Sequence, residues 1–253
     1  MHQTATINNE QLYSLSILIH QDGLSFYIHT STGIESTIVR NFKYPSNPIE
    51  ILDAIEDCYV TEQDLQSDFK TIKLIYHHSI YSIVPERIFN ENHAADYLKY
   101  NTRLLQTDVV SMDDPLDRLE TRTVYIAYSN INNFFFDKYG DYEYFHYTTL
   151  SLPHILDQGD GIFLEVKSSN FYLTYLKNGE LLAHNIFPKE QVEDILYYTL
   201  FAIEQYKIDP ETVQLQLIEE HKNKDLYDLL YTYVRHVELI KDYSSYLNQI
   251  ICA

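Results

Sequence analysis

LSILIHQDGLSFYIHTSTG, residues 15–33, alternates apolar and polar side chains, breaks at a short polar turn, alternates again and closes on a glycine. GIFLEVKSSNFYLTYLKNG, residues 161–179, does the same. Alternation is the signature of half-buried strands, and Asp22-Gly23 between two such runs is a strong hairpin signal. A second turn at Ser31-Thr32-Gly33 leads into IESTIVRNFKY (34–44), and Asn178-Gly179 leads into ELLAHNIF. Each copy is therefore expected to form a three-stranded antiparallel meander. Phe26 is expected to match Phe171, and Gly33 to lie near Gly179.

Working outward, each meander is followed by helical and strand patterns. Asn47, Pro48 and Glu50 form an N-terminal helix signal, with Ile49, Leu52 and Ile55 as the apolar stripe. TIKLIYHHSIYSIVP (71–85) reads as a strand stopped by Pro85, and a helix is expected over 91–105. Residues 110–122 read as an acidic, proline-broken loop. TVYIAYS (123–129) reads as a strand, NINNFFFDKYG (130–140) as a helix ended by Gly140, and DYEYFHYTTL (141–150) as a strand.

In the second copy, KEQVEDILYYTLFAIEQY (189–206) is apolar on several faces and is expected to be deeply packed. VQLQLIEE (213–220) reads as a strand, 224–235 as a helix and HVELI (236–240) as a closing strand. The glycine-bearing stretch DQGDG (157–161) is the best boundary. The expected division is a flexible N-terminus 1–11, a first half 12–158 and a second half 159–253.

The formal charge of −19, from 18 basic and 37 acidic residues, argues against a nucleic-acid binder, because that affinity comes largely from cations neutralising phosphates. An anionic membrane surface is disfavoured in the same way. No run approaches the ~20 apolar residues of a membrane span, and MHQTATINNEQ lacks a signal-peptide pattern, so a cytoplasmic location is expected. Cys58 and Cys252 form no CxxC pair, so neither a redox motif nor a zinc site is indicated. Tyrosine is abundant, with 24 copies against no tryptophan, and suits core margins and interfaces.

Among eleven histidines, His77 and His78 are adjacent, so in a strand they face opposite ways and suit structural roles better than one metal. No HExxH, GxSxG or GxxxxGK[ST] pattern occurs. The acidic pairs Asp113-Asp114 and Glu219-Glu220 lie in polar stretches and are read as solvated. No catalytic residue, metal ligand or cofactor is assigned.

A meander followed by helix, strand and helix, present twice, resembles the actin-like ATPase superfamily that includes sugar kinases and heat-shock chaperone ATPases. IYHHSIYSIVPERIF (75–89), DYLKYNTRLLQTD (96–108), VYIAYSNINNFFFDKYG (124–140) and DILYYTLFAIEQYKIDPE (194–211) more closely resemble the bacterial family called domain of unknown function 3822. The resemblance implies an α/β, duplicated actin-like (ribonuclease H-like) fold with its two halves around a cleft.

It also implies what ATP chemistry would need: an aspartate and a glycine-rich turn between the first two strands of each half, and paired glycines after a late strand. Here HQDGLS has one acid and one glycine but no aspartate at the strand end, EVKSSNF has no glycine and no aspartate, and the late strand ends in LIEEHK, with Glu219-Glu220. Hydrolysis is therefore not expected. The expected function is a non-catalytic interaction or regulatory protein with an unidentified protein partner. The alternatives are a small-molecule or nucleotide-binding module with Gln21, Asp22, Ser168, Ser169 and Glu219 near the cleft mouth, and a divergent phosphotransferase using Asp22.

Overall fold

The computed structural model describes residues 13–105 and 108–252; the expected flexible N-terminus lies outside them. The chain divides into two compact units, the first taking residues up to Ser151 together with the last stretch from Asn248, the second Leu152–Leu247. The division thus falls at residues 151/152 rather than at 157–161, and the chain end belongs with the first unit.

In the first unit, β1 (Tyr13–His20), β2 (Gly23–Thr30) and β3 (Gly33–Asn41) form the expected meander. α1 (Pro48–Thr61) follows, then β4 (Phe69–His77). α1 starts where the sequence dictates: Asn47 Oδ1 accepts the N–H groups of Ile49 and Glu50, and Glu50 accepts that of Asn47. Its buried face is Ile51, Ile55, Cys58 and Tyr59; of the expected stripe Ile55 is buried, Leu52 half-buried and Ile49, in the first turn, exposed. The four-residue step from Ile51 to Ile55 follows the helical period more closely than two three-residue steps.

The run 71–85 is not one strand. It breaks at His78, and β5 (Tyr81–Pro85) leaves for another sheet. α2 (Ala94–Lys99) is shorter than expected, and β6 (Val109–Met112) begins just before the expected loop and runs into it. β7 (Thr121–Ala127) completes an antiparallel sheet of order β5-β7-β6. α3 (Ser129–Tyr139) ends at Gly140, whose φ of 76° suits glycine. Only 143–146 of the expected strand 141–150 is β8 (Glu143–His146); residues 147–150 open α4 (Tyr147–Leu156).

The second unit runs β9 (Gly161–Val166), β10 (Asn170–Lys177), β11 (Glu180–Pro188), α5 (Val192–Gln205), β12 (Gln214–Ile218), α6 (Lys224–Tyr231) and β13 (His236–Leu239). α7 (Tyr243–Ile251) closes the described chain.

The two main sheets have the same plan. The first is ordered β3-β2-β1-β4-β8 and the second β11-β10-β9-β12-β13. In both, the first three strands are antiparallel and the last two join parallel. Ile17 faces Phe26, which faces Ile38; Leu164 faces Leu173, which faces Asn185. The meanders therefore match by a shift of 147 residues. Both carry a register shift at the equivalent place, between Ile28 and His29 and between Tyr175 and Leu176. A shared irregularity is more specific than shared strand order, because a bulge interrupts regular pairing.

That shift corrects the expected pairing of landmarks. The counterpart of Phe26 is Leu173, and that of Phe171 is Leu24, one pleat away. Gly33 pairs with Thr30 inside the strand, whereas Gly179 lies in the turn before it. The difference is two residues, so both phenylalanines still point to the same face, and both are fully buried.

Glycine matters most where backbones meet. At Gly161, with φ 152°, an added Cβ would lie 2.6 Å from the Gln214 carbonyl on neighbouring β12. Gly161→Ala is expected to cost about 2–3 kcal/mol, combining overpacking with a φ that L-residues avoid. Chemical denaturation checks this; an unchanged midpoint would mean the two strands are free to separate there. Gly23, expected to supply a positive φ, instead serves close approach: its Cβ would meet the Arg40 carbonyl at 2.8 Å.

Candidate functional site

Gln21 and Asp22 form the tight turn between β1 and β2 in the first unit. The chain after β3 folds over this turn, with the Phe42 and Ser46 N–H groups donating to the Asp22 and Gln21 carbonyls. His20 Nδ1 lies 3.3 Å from Asp22 Oδ1, and the Gln21 side chain hydrogen-bonds to the Tyr128 hydroxyl. Burial pushes that hydroxyl up to about 12. The Asp22 carboxylate therefore sits beside a histidine of its own hairpin.

Ser168 and Ser169 occupy the corresponding turn of the second unit, closed by the Lys167 N–H donating to the Asn170 carbonyl. Lys189, just after β11, draws the remaining expected residues together. Its Nζ donates to the Ser168 carbonyl at 2.7 Å, its N–H donates to the Ser169 carbonyl, and its charge acts on Glu219. Glu219 accepts the Asn223 N–H at 2.8 Å, and Asn223 in turn caps α6 through the Leu226 N–H. Burial raises the Glu219 carboxyl, and the Asn223 bond and Lys189 oppose that rise.

Beside this turn lies a buried ion pair that sequence reading missed. Glu165, on β9, and Lys167, just past the end of that strand, are two residues apart. Their charged atoms lie 2.8 Å apart. Lys167 also reaches the Tyr243 hydroxyl at 3.3 Å, and the Tyr246 hydroxyl donates to Glu165 at 3.1 Å. Burial alone would lower the Lys167 ammonium, but Glu165 and Tyr243 outweigh it and hold it above the usual lysine range. The E-x-K spacing at the end of a strand was the available signal.

A second missed network centres on Asp113 in the first unit. Contrary to the solvated reading, it is buried, as is Glu219; only their neighbours Asp114 and Glu220 are exposed. The Asp113 carboxylate accepts from the Tyr125 hydroxyl at 2.9 Å, the His146 N–H at 3.0 Å and the Thr149 hydroxyl at 2.5 Å. These last two donors stand at the entry of α4, so Asp113 caps that helix from across the fold. Burial pushes its carboxyl up to about 6 against these three bonds.

The histidines around it are structural. His146 stacks on Tyr81 at 4.4 Å; its Nδ1 accepts the Thr148 N–H, leaving Nε2 to donate to the His78 carbonyl. His78 likewise accepts the Ile80 N–H and donates to the Ile126 carbonyl, and burial pulls it down to about 4. Among the described residues no group of three or more His, Cys, Asp or Glu is arranged to hold a metal ion.

Two opposed titrations follow. His78 is neutral when folded but protonates near pH 6.5 when unfolded, so its contribution is lost as pH falls below about 6.5 towards 4. Asp113 binds its proton at about pH 6 when folded and near 3.9 when unfolded, so it favours folding as pH falls through that window. Asp113→Asn removes the second effect alone. The stability lost between pH 7 and pH 5 should then be larger in the variant than in the parent, by about 1 kcal/mol. Urea titrations at both pH values measure the difference; equal losses would contradict a raised Asp113.

The duplicated sheets, with the β5-β7-β6 sheet inserted in the first unit, define an actin-like ATPase fold. A Bacteroides thetaiotaomicron protein of that fold and of unknown function matches with a TM-score of 0.85 at 17% identity, covering 99% of both chains. The chain belongs to the family described as protein of unknown function DUF3822, whose model matches residues 2–237. A structure of the PilM-PilN type IV pilus biogenesis complex matches with a TM-score of 0.57 at 12% identity, over 90% of this chain and 88% of that one. The ethanolamine utilization protein EutJ from Carboxydothermus hydrogenoformans matches with a TM-score of 0.53 at 8% identity, over 97% and 91%. At these identities the likeness shows the fold. No curated protein matches the sequence. No helix among the described residues is long and apolar enough to cross a membrane.

Proposed function

We propose that this protein is a non-catalytic interaction or regulatory protein, working in the cytoplasm on an actin-like scaffold that has given up ATP chemistry. The observation that carries this reading is the polar network of the second unit. There Lys189 is committed to the Ser168 carbonyl, and the buried Glu219 carboxylate is committed to the Asn223 N–H. In an ATPase of this fold those two places would serve phosphate and adenosine. An acidic pair at the second of them repels phosphate, and the net charge of −19 adds to the repulsion.

A protein partner, rather than nucleic acid, fits the same charge. A related fold occurs in the PilM-PilN complex, so the scaffold is compatible with protein binding. The alternative, a small molecule or nucleotide held by Gln21, Asp22, Ser168, Ser169 or Glu219, would be revealed by a thermal shift in a metabolite screen.

The test is partner retention without nucleotide. The full chain, affinity-tagged in its source organism, should keep the same partner at the same stoichiometry after enzymatic depletion of ATP and after addition of a non-hydrolysable ATP analogue. Release or exchange of that partner on either treatment would contradict the reading.

A further inference from the structure

α5 was expected to be deeply packed, but only one of its faces is. Ile195, Thr199, Ala202 and Ile203 are buried against the second sheet and its helices. The opposite face is open. Tyr197 is 63% exposed and Phe201 50% exposed, four residues apart and stacked at 6.5 Å with planes 18° from parallel. Two large aromatic side chains left in water on one helix face are an uncompensated cost unless something covers them.

These rings are continuous with the core. Phe171, fully buried, touches Phe187; Phe187 stacks on Tyr198 at 4.1 Å; Tyr198 meets Tyr197 edge-on at 5.1 Å. The exposed pair is thus held on a rigid aromatic ladder, the kind of preorganised anchor that interface hot spots use.

Charge decides what fits. Glu193 and Glu204 are exposed on the same face, one turn before Tyr197 and one turn after Phe201. Among the described residues neither has a cationic partner, and α5 carries no basic residue. A second copy of the chain laid antiparallel on this face would set Glu193 against Glu204, like against like. A basic partner reverses that sign.

We propose that this face of α5 docks a basic amphipathic helix of a partner protein. The partner's apolar side chains would cover Tyr197 and Phe201, and its Lys or Arg residues, about 16 Å apart, would meet Glu193 and Glu204. The proposal rests on the interaction reading above and names the surface and the chemistry of its partner.

The test uses the full chain in its source organism, with a photo-crosslinking amino acid at Tyr197 and, in a parallel strain, at Val60, an exposed site on α1 of the first unit. Adducts at Tyr197 should map to a segment with apolar residues at helical spacing flanked by Lys or Arg. That segment, made as a peptide, should bind the purified chain about tenfold more weakly after Phe201→Ser, and also after the pair Glu193→Lys and Glu204→Lys. Thermal melting should leave these exposed-site variants unchanged, which keeps a binding loss separate from unfolding. Adducts to a second copy of this chain, or to a segment without basic residues, would overturn the proposal. Adducts at Val60 and not at Tyr197 would overturn this surface while leaving the interaction reading in place. Adducts at neither site, with no protein co-purifying, would overturn both.

Discussion

Phe26→Ala is expected to lower stability by about 3–5 kcal/mol, and Phe171→Ala by a similar amount. Each ring is fully buried in the sheet face that its unit's first helix covers. Phe26 meets Tyr59 of α1 edge-on at 6.2 Å, and Tyr59 in turn touches Phe134, Phe135 and Tyr139 of α3. Removing the ring therefore opens a cavity beneath two helices. Phe171 contacts Phe187 and Tyr198, so its loss also unseats the ladder beneath the exposed α5 face. Far-ultraviolet circular dichroism in urea reads both variants. A loss below about 1 kcal/mol for either would mean that its cavity collapses freely, contrary to close packing in that unit.

Lys167→Met is the other large effect. It leaves the Glu165 carboxylate, 1% exposed, without its counter-charge, at an expected cost of about 3–5 kcal/mol. The double substitution Glu165→Gln with Lys167→Met removes both charges and should recover most of that loss, since a buried pair replaced by neutral groups of similar volume is often close to neutral. Additive single losses in the double-mutant cycle would contradict direct coupling. The variant also separates roles at this turn, because Lys189 holds the Ser168 carbonyl independently of Lys167.

The meanders were legible because period-two alternation survives in isolation, and turns such as Asp22-Gly23 and Asn178-Gly179 punctuate it. The register was not, because matching Phe26 to Phe171 slides the copies by one pleat without changing which face is apolar. The inserted sheet escaped notice because residues 71–85 are continuously β-forming. The break at His78 carries no glycine or proline; it is set by the His78 bonds to the Ile80 N–H and the Ile126 carbonyl. YTTL reads as strand by composition but becomes the first turn of α4, because Asp113, more than thirty residues earlier, supplies the cap.

The candidate site divides in the same way. Ser168, Ser169 and Glu219 were visible as departures from the actin-like ATPase pattern; Lys189 bonds to the first two through their carbonyls, and its charge acts on the third. That lysine carried no motif; only the fold of β11 back along β10 brings it to the turn. Burial of Asp113 and Glu219 beside exposed acidic neighbours was equally invisible, since a sequence does not record which carboxylate of a pair turns inward.

If the proposed non-catalytic reading holds, this actin-like scaffold neither binds nor turns over ATP. Titration calorimetry of the full chain with Mg²⁺ and ATP, paired with a phosphate-release assay on the same sample, tests it most directly. No binding heat beyond dilution and no phosphate above the protein-free blank are expected on that reading. Micromolar binding with sustained phosphate release, abolished by Asp22→Ala while the fold is retained, would contradict it and establish a divergent phosphotransferase.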